Sequence, residues 1–304
     1  PINPSDHGVM FGWSIMAAAS STGSGRDSVL TAPVPEQGMQ MMKARIGQAL
    51  PVGNEGAGTV IAAGEGDYAQ SLIGKTVAVM GGGMYGEYRT VDAMMALPLH
   101  EGNTAIEGAS CFVKPLTALC FLETMRLEGH TAQEQEDMLR GMGAKYAVNS
   151  STDSFMPDLI DAIHETGATL GFDATGGGSL ASDILAAMEG AAARTPGAYS
   201  IYGSVAHKQV YLYGGLERAP TTLSRSYGMA WGVGGWLLPN FLAKAGQDVA
   251  IRLRQRVADE LTTTFASHYT DELSLSAALQ ADVVAKYNAK TTGEKYLICP
   301  QMPI

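Results

Sequence analysis

The spacing of apolar residues divides the chain into segments of different character. From 51 to 98, short apolar runs alternate with glycine turns. Short strands separated by glycines are typical of a small β-barrel or sandwich. The preceding stretch, 14–50, has weak periodicity, and we predict a long loop there with some helix between 37 and 50. The strands predicted between the glycine turns are 58–62, 76–80 and 85–91.

After Gly102 the pattern changes to alternating helices and strands. Phe155, Leu159 and Ile163 recur at the spacing of one helix face, and Ser154 stands where it could cap that helix. This alternation predicts an α/β fold with a mostly parallel, doubly wound sheet. The further predicted helices are 117–126, 134–143, 179–193 and one containing Leu275, Leu279, Val283 and Tyr287. The predicted strands are 169–173, 198–203, 210–213 and 292–299.

One βαβ unit is missing from this alternation of helices and strands. Helix 117–126 is followed almost directly by helix 134–143, although a parallel βαβ unit takes ~30 residues. Either the protein has lost the first strand, its glycine turn and its crossover helix, or residues are missing between Ala132 and Gln133. We favour the second alternative and predict a chain break there. The first residues, 1–6, look like an internal segment, so we also predict truncation at the amino end.

Composition and charge narrow the classes of function. The net charge of -10 argues against a nucleic-acid partner and against an anionic membrane surface. No window approaches ~20 uninterrupted apolar residues, which predicts no membrane span. The three cysteines, Cys111, Cys120 and Cys299, are widely spaced and cannot form a complete disulfide framework. A cytoplasmic location is therefore predicted.

Short motifs that follow one another along the chain carry a resemblance to a known family. They are Ile2-Asn-Pro-Ser-Asp6, Gly53-Asn-Glu-Gly-Ala-Gly58, Gly74-Lys-Thr-Val-Ala78, Lys114-Pro-Leu-Thr-Ala118, Phe172-Asp-Ala-Thr-Gly-Gly177 and Thr292-Gly-Glu-Lys295. Their order and approximate spacing resemble those of the zinc-free medium-chain dehydrogenase/reductases. That family includes quinone oxidoreductases and enoyl-thioester reductases.

The resemblance implies a particular domain organisation. A GroES-like β-barrel catalytic domain would comprise residues 1–112 and 266–304. A Rossmann-type doubly wound parallel sheet, residues 113–265, would be inserted in it. The resemblance also implies NADPH or NADH in the cleft between the domains, a small-molecule substrate, and a homodimer in which Rossmann sheets pair edge to edge.

Candidate cofactor-binding residues follow the predicted strands. Ligands bind at the carboxyl edge of a parallel sheet, where consecutive strands end. The resemblance places Asn3 and Thr117 toward the nicotinamide. Local turn or helix-start chemistry is the alternative for both, and the glycines could serve only the strand-to-helix turn. The candidates at strand ends are Asp173, Ala174, Thr175, Gly176 and Gly177, then Tyr202, Gly203 and Ser204, and Asn149 completes the set.

No catalytic residue can be named from the sequence. Enoyl reductases of this family place a proton-donating tyrosine near 11–13, where this chain has Trp13. The favoured hypothesis is a metal-free, NAD(P)H-dependent oxidoreductase that transfers hydride to a quinone or another activated conjugated acceptor. The alternatives are an enoyl-thioester reductase and a non-catalytic dinucleotide-binding protein of the same fold.

We predict that the protein binds no zinc. The Gly-His-Glu turn of the zinc-dependent branch is Gly53-Asn54-Glu55 here, so the histidine ligand is lost, and the histidines show no metal-binding spacing. Elemental analysis of chelator-washed protein should give less than stoichiometric zinc. One zinc per chain would contradict this prediction.

Overall fold

The computed structural model describes residues 1–128, 146, 148, 150–194, 201–291 and 293–303. The chain divides into two compact units, Pro1–Leu116 with Ile251–Ile304, and Thr117–Ala250. The predicted chain break after Ala132, the predicted helix 134–143 and the candidate residue Asn149 lie outside the described residues. These three expectations therefore stay predictions.

Helices and strands alternate along most of the described chain. The helices are α1 (Pro4–Met10), α2 (Glu36–Met41), α3 (Asp67–Ser71), α4 (Ala105–Gly108), α5 (Thr117–Leu127), α6 (Phe155–Thr166), α7 (Leu180–Ala193), α8 (Leu238–Ala245), α9 (Gln247–Asp259) and α10 (Ala281–Asn288). The strands are β1 (Ser20–Thr22), β2 (Val29–Thr31), β3 (Glu55–Thr59), β4 (Thr76–Met80), β5 (Ala96–Pro98), β6 (Leu170–Asp173), β7 (Lys208–Leu212), β8 (Trp231–Gly235), β9 (Asp271–Leu273) and β10 (Tyr296–Ile298). A π-helical turn, Phe112–Leu116, leads directly into α5.

The first unit, built from both ends of the chain, contains small separate sheets. Strands β1 and β2 form an antiparallel hairpin, β3-β4-β5 form an antiparallel sheet, and β9 pairs with β10 in parallel. Strand β4 is central in its sheet, and its residues Val77 and Val79 are buried against Leu72 and Ala96. No sheet closes into a barrel among the described residues, so the predicted barrel is not confirmed.

The predicted strand 85–91 is wrong. Those residues form a loop, and the third strand of the sheet is β5. Both edges of β4 are already paired, with β3 and β5, so a strand at 85–91 has no place on it. Tyr85 is held in this loop by its hydroxyl, which donates a hydrogen bond of 2.9 Å to the carbonyl of Pro1.

The second unit contains a parallel sheet in the order β6-β7-β8. Helix α7 packs on this sheet against the central strand β7, and α6 packs against α7. Leu185 and Val210 are 0% exposed at the centre of this core, beside Ile163 and Met188. The predictions for α6, β6, α7 and β7 are confirmed to within a few residues.

The predicted strand 198–203 is wrong in its described part. Ile201 and Tyr202 form a turn, and the strand beside β6 is β7. We predicted no strand at 231–235, but these residues form β8 at the edge of the described sheet. Its three glycines do not match the apolar pattern of a strand. Among the described residues, no helix is both long enough and apolar enough to cross a membrane.

Candidate functional site

The carboxyl edge of the parallel sheet brings three strand ends together. The backbone N–H of Tyr213, just after β7, donates to the carbonyl of Asp173 at the end of β6, at 3.0 Å. The N–H of Trp236, just after β8, donates to the carbonyl of Leu212 at 2.9 Å. Parallel strands place such ends along one edge, where ligands of open α/β sheets bind.

Asp173 is the buried charged residue of this edge and is 1% exposed. Its Oδ1 atom accepts backbone N–H bonds from Thr175 at 2.6 Å and from Gly176 at 3.2 Å. Its Oδ2 atom is buried and has no hydrogen-bond partner. An unsatisfied buried acceptor costs about 1–3 kcal/mol. A ligand that donates a hydrogen bond to Oδ2 would relieve that cost.

The glycines of this edge let two loops cross in close contact. Gly176 has a φ of +80°, and a Cβ on it would lie 2.4 Å from the carbonyl oxygen of Gly214. A Cβ on Gly214 would lie 1.9 Å from the carbonyl oxygen of Ala174. The loop after β6 and the loop after β7 therefore need both glycines in order to pack against each other. This agrees with the alternative that the glycines serve the turn rather than the cofactor.

An aromatic cluster fixes helix α5 against the same sheet. The Phe121 ring of α5 stacks on Phe172 of β6 with centroids 3.9 Å apart. Tyr213 and Trp236 meet Phe121 edge-on, each at 4.7 Å. The Trp236 indole also donates to Thr124 Oγ1 of α5 at 3.1 Å. These contacts hold α5, whose first residue is Thr117, in one position on the second unit.

Tyr202, Gly203 and Ser204 precede the amino end of β7, and among the described residues 201–204 form a turn and a loop. Their role in cofactor binding stays a prediction. Burial alone would raise the pKa of Glu189, but hydrogen bonds from Lys208 and Ser204 keep it below its usual value. Lys208 is 1% exposed and pairs with Glu189 at 2.7 Å. The Ser204 N–H donates to the same carboxylate, also at 2.7 Å, so this loop is held by a buried ion pair.

A second buried carboxylate organises the first unit around Asn3. Glu55 of β3 is 1% exposed. Its Oε2 accepts the N–H groups of Phe112 and Val113 at 2.7 and 2.9 Å. Its Oε1 accepts Asn3 Nδ2 at 2.9 Å. Asn3 is 0% exposed, and its Oδ1 has no hydrogen-bond partner.

The neighbouring Asp6 holds the chain at Asn3 in place. Its carboxylate accepts the backbone N–H of Asn3 at 2.7 Å and that of Asn54 at 2.9 Å. Burial raises the pKa of Asp6, and these two backbone hydrogen bonds oppose the rise. Asn3 thus has both its backbone and its amide nitrogen fixed. Its amide oxygen lies in a capping-box arrangement with the Asp6 N–H but makes no hydrogen bond, so it can accept one from a ligand.

The structure therefore collects the predicted residues into separate groups. Residues 173–177 lie together in the second unit with residues 213–215. We did not predict residues 213–215 as part of the site, because we expected the neighbouring strand to end at Gly203. Asn3 lies in the first unit beside Glu55. Within the described part of the chain, no group of three His, Cys, Asp or Glu side chains could hold a metal ion.

Comparison with known proteins bears on the fold. No protein-family model matches the chain, and no curated protein matches it. A solved structure from Mesorhizobium loti, named as an NADPH:quinone reductase, is 20% identical, with a TM-score of 0.66 over 92% of this chain and 94% of that one. An enoyl thioester reductase from Candida tropicalis, in a mutant form, is 16% identical, with a TM-score of 0.53 over 92% of this chain and 98% of that one.

A mycobacterial protein complexed with NADPH is also similar. It is 16% identical, with a TM-score of 0.58 over 93% of this chain and 90% of that one. The predicted resemblance is confirmed at the level of the fold, because the structural neighbours include proteins named as a quinone reductase and an enoyl thioester reductase.

The Gly203→Val substitution should lower stability. Gly203 has a φ of +80°, and a Cβ would lie 2.5 Å from Gly228 Cα and 2.6 Å from Glu189 Oε1. Backbone strain and the clash together should cost about 2 kcal/mol or more. Urea unfolding followed by circular dichroism measures this cost. Gly64→Val is the control, because a Cβ there meets nothing within 4 Å. Wild-type stability with weakened NADPH binding would contradict the structural role and restore the predicted cofactor contact.

Proposed function

We propose that this protein is a metal-free, NADPH-dependent reductase that delivers hydride to a quinone or another activated conjugated acceptor. The observation that carries the proposal is the buried, unpaired Oδ2 of Asp173 at the carboxyl edge of a parallel sheet. The fold shared with NADPH:quinone reductases supports it. We interpret Pro1–Leu116 with Ile251–Ile304 as the GroES-like catalytic domain and Thr117–Ala250 as the Rossmann-type domain.

The residues at the sheet edge fit a dinucleotide. Asp173 Oδ2 is an acceptor without a donor, and ribose hydroxyls are donors of the right kind. Gly178 and Gly215 face open space, since a Cβ on either would meet nothing within 4 Å. A ribose could therefore approach the backbone on this side of the two crossing loops.

The cofactor, when bound, would supply the hydride, and the protein would supply binding and orientation. Asn3 Oδ1 would accept a hydrogen bond from the nicotinamide carboxamide. Its fixed backbone and its bond to Glu55 make that acceptor rigid before the ligand arrives. Thr117, where the π-helical turn continues into α5, would present its hydroxyl to the same ring system. Such preorganisation lowers the entropic cost of reaching a reactive geometry.

Turnover distinguishes the candidate functions. NADPH oxidation should be followed at 340 nm with a simple benzoquinone, with an enoyl thioester such as crotonyl-CoA, and without acceptor. We expect oxidation with the quinone. Faster oxidation with the thioester would favour the enoyl reductase that the Candida tropicalis likeness suggests. NADPH binding without oxidation by either acceptor would show the non-catalytic alternative.

Asp173→Asn should weaken NADPH binding. The amide can keep one oxygen for the Thr175 and Gly176 N–H groups, but it places a donor where Oδ2 was an acceptor. Loss of one charge-assisted hydrogen bond costs about 1.5–3 kcal/mol, which is tenfold or more in affinity. Titration of NADPH fluorescence measures the change. Asp158→Asn, an exposed carboxylate in α6, should bind like wild type. Equal NADPH affinity of Asp173→Asn and wild type would remove Asp173 from the site.

We also propose that the protein is a homodimer. Strand β8 lies at the edge of the described sheet. The exposed apolar residues Leu216 and Met229 precede this strand in the sequence, and the exposed Leu237 follows it. An unpaired apolar edge is usually covered by another strand. Light scattering at micromolar concentration should give twice the chain mass of 31.9 kDa. A monomer mass that persists at ten times that concentration would contradict the dimer.

A further inference from the structure

Lys295 occupies a half-buried position in the polar cluster around Glu55. It stands immediately before β10, and its Nζ donates a hydrogen bond of 3.0 Å to Ser267 Oγ. The ammonium group lies 5.3 Å from the centroid of the Tyr269 ring. Among the described residues, Ser267 is its hydrogen-bond acceptor, and no carboxylate lies within ion-pair distance. Its remaining N–H groups are thus available to another acceptor.

The charges around Lys295 are few and can be named. Burial lowers the pKa of its ammonium group to about 8. The Glu55 carboxylate opposes this fall, the Lys114 ammonium group adds to it, and the Cys111 thiol opposes it weakly. A lysine adjusted to this range can give up a proton near neutral pH, as general acids in enzymes do.

The tyrosines of the first unit that lie near this cluster are already engaged. Tyr85 donates to the carbonyl of Pro1, Tyr269 to that of Ile106 and Tyr287 to that of Ala278. Burial raises the pKa of all three hydroxyls, that of Tyr269 to about 12. Trp13, which stands where enoyl reductases have their tyrosine, carries only a very weakly acidic indole N–H.

Asn3 gives a second, independent sign that a ligand belongs in this cluster. Its buried Oδ1 has no partner, although its Nδ2 is bonded to Glu55. The segments that carry Lys295 and Asn3 lie side by side, because the backbone N–H of Ile2 donates to the carbonyl of Tyr296 at 2.8 Å. Lys295 has N–H groups to give, and Asn3 has an oxygen to accept. A nicotinamide carboxamide needs an acceptor for its N–H group, and a carbonyl oxygen that gains negative charge beside it needs a donor.

We propose that Lys295 is the proton donor of the reduction. The inference rests on the proposed function. Hydride addition to a conjugated acceptor leaves an enolate or a hydroquinone monoanion. An N–H bond of the Lys295 ammonium group breaks and an O–H bond to that anion forms, which leaves a neutral amine. The amine then takes a proton from water, so each turnover consumes one NADPH, one acceptor and one proton.

The first test measures Lys295 without turnover. The intact protein is acylated briefly with an amine-reactive reagent between pH 6 and 11, and each lysine is quantified by peptide mass spectrometry. Lys295 should be labelled with a midpoint near pH 8, about two units below the usual lysine value of ~10.4. A midpoint at the usual lysine value would overturn the inference and leave the proposed function intact.

The second test compares pH profiles of kcat. In wild type, kcat should fall above pH 8, because the ammonium group must be protonated to act. Lys295→Met should lose 10²-fold or more in kcat, which is the range for removal of a general acid. The same variant should also lose the fall in kcat above pH 8. Lys295→Arg keeps the charge but holds its proton too tightly, so it should also be slow.

The exposed Lys286→Met variant is the matched control and should keep both rate and profile. Unchanged kcat and an unchanged alkaline limb in Lys295→Met would overturn the inference. Loss of rate with an unchanged profile would assign Lys295 a structural role and overturn it as well. If wild type oxidises NADPH with neither the quinone nor the enoyl thioester, the proposed function falls and the donor role falls with it, whatever the labelling midpoint.

Discussion

A buried carboxylate with every oxygen bonded is the constraint on which the first unit depends. Glu55 is 1% exposed, and such a charge is tolerable only when hydrogen-bond donors replace water. Its donors come from the amino-terminal segment and from the π-helical turn Phe112–Leu116. That turn continues directly into α5. One side chain thus fixes both Asn3 and the π-helical turn Phe112–Leu116.

The second unit also contains a buried carboxylate that accepts backbone N–H groups. Asp173 also accepts backbone N–H groups and also holds a loop, but only one of its oxygens is satisfied. The Glu55 carboxylate, with both oxygens bonded, is explained by its role in holding the first unit together. The Asp173 carboxylate keeps one buried oxygen without a hydrogen bond, and a ligand can remove the free-energy cost of that oxygen. This contrast, more than the glycines beside Asp173, supports assigning the sheet edge to binding, because the glycines are required by the crossing of two loops.

Sequence periodicity predicted the elements whose apolar residues follow one regular spacing. Strand β4 and helix α6 are examples, since each buries one continuous run or face. The start of β7 was missed because Lys208, a charged residue, is buried there by its pairing with Glu189. Strand β8 was missed because glycines take positions where apolar side chains would mark a strand.

The candidate site was only partly predictable for related reasons. Asp173 was found because it ends a periodic strand, while Tyr202–Ser204 were assigned to the end of a predicted strand whose described residues, 201–203, form a turn and a loop. Asn3 came from family resemblance, and only the structure shows its free oxygen. Lys295 could not be singled out, because its half-buried state depends on Glu55 and Ser267, which are distant in sequence.

A crystal structure of the protein grown with NADPH would show whether Asp173 and Asn3 bind the dinucleotide. We expect one dinucleotide per chain, with a ribose hydroxyl within hydrogen-bond distance of Asp173 Oδ2 and the carboxamide group on Asn3 Oδ1. Density for NADPH elsewhere on the protein, with Asp173 Oδ2 and Asn3 Oδ1 still unpaired, would rule out both assignments.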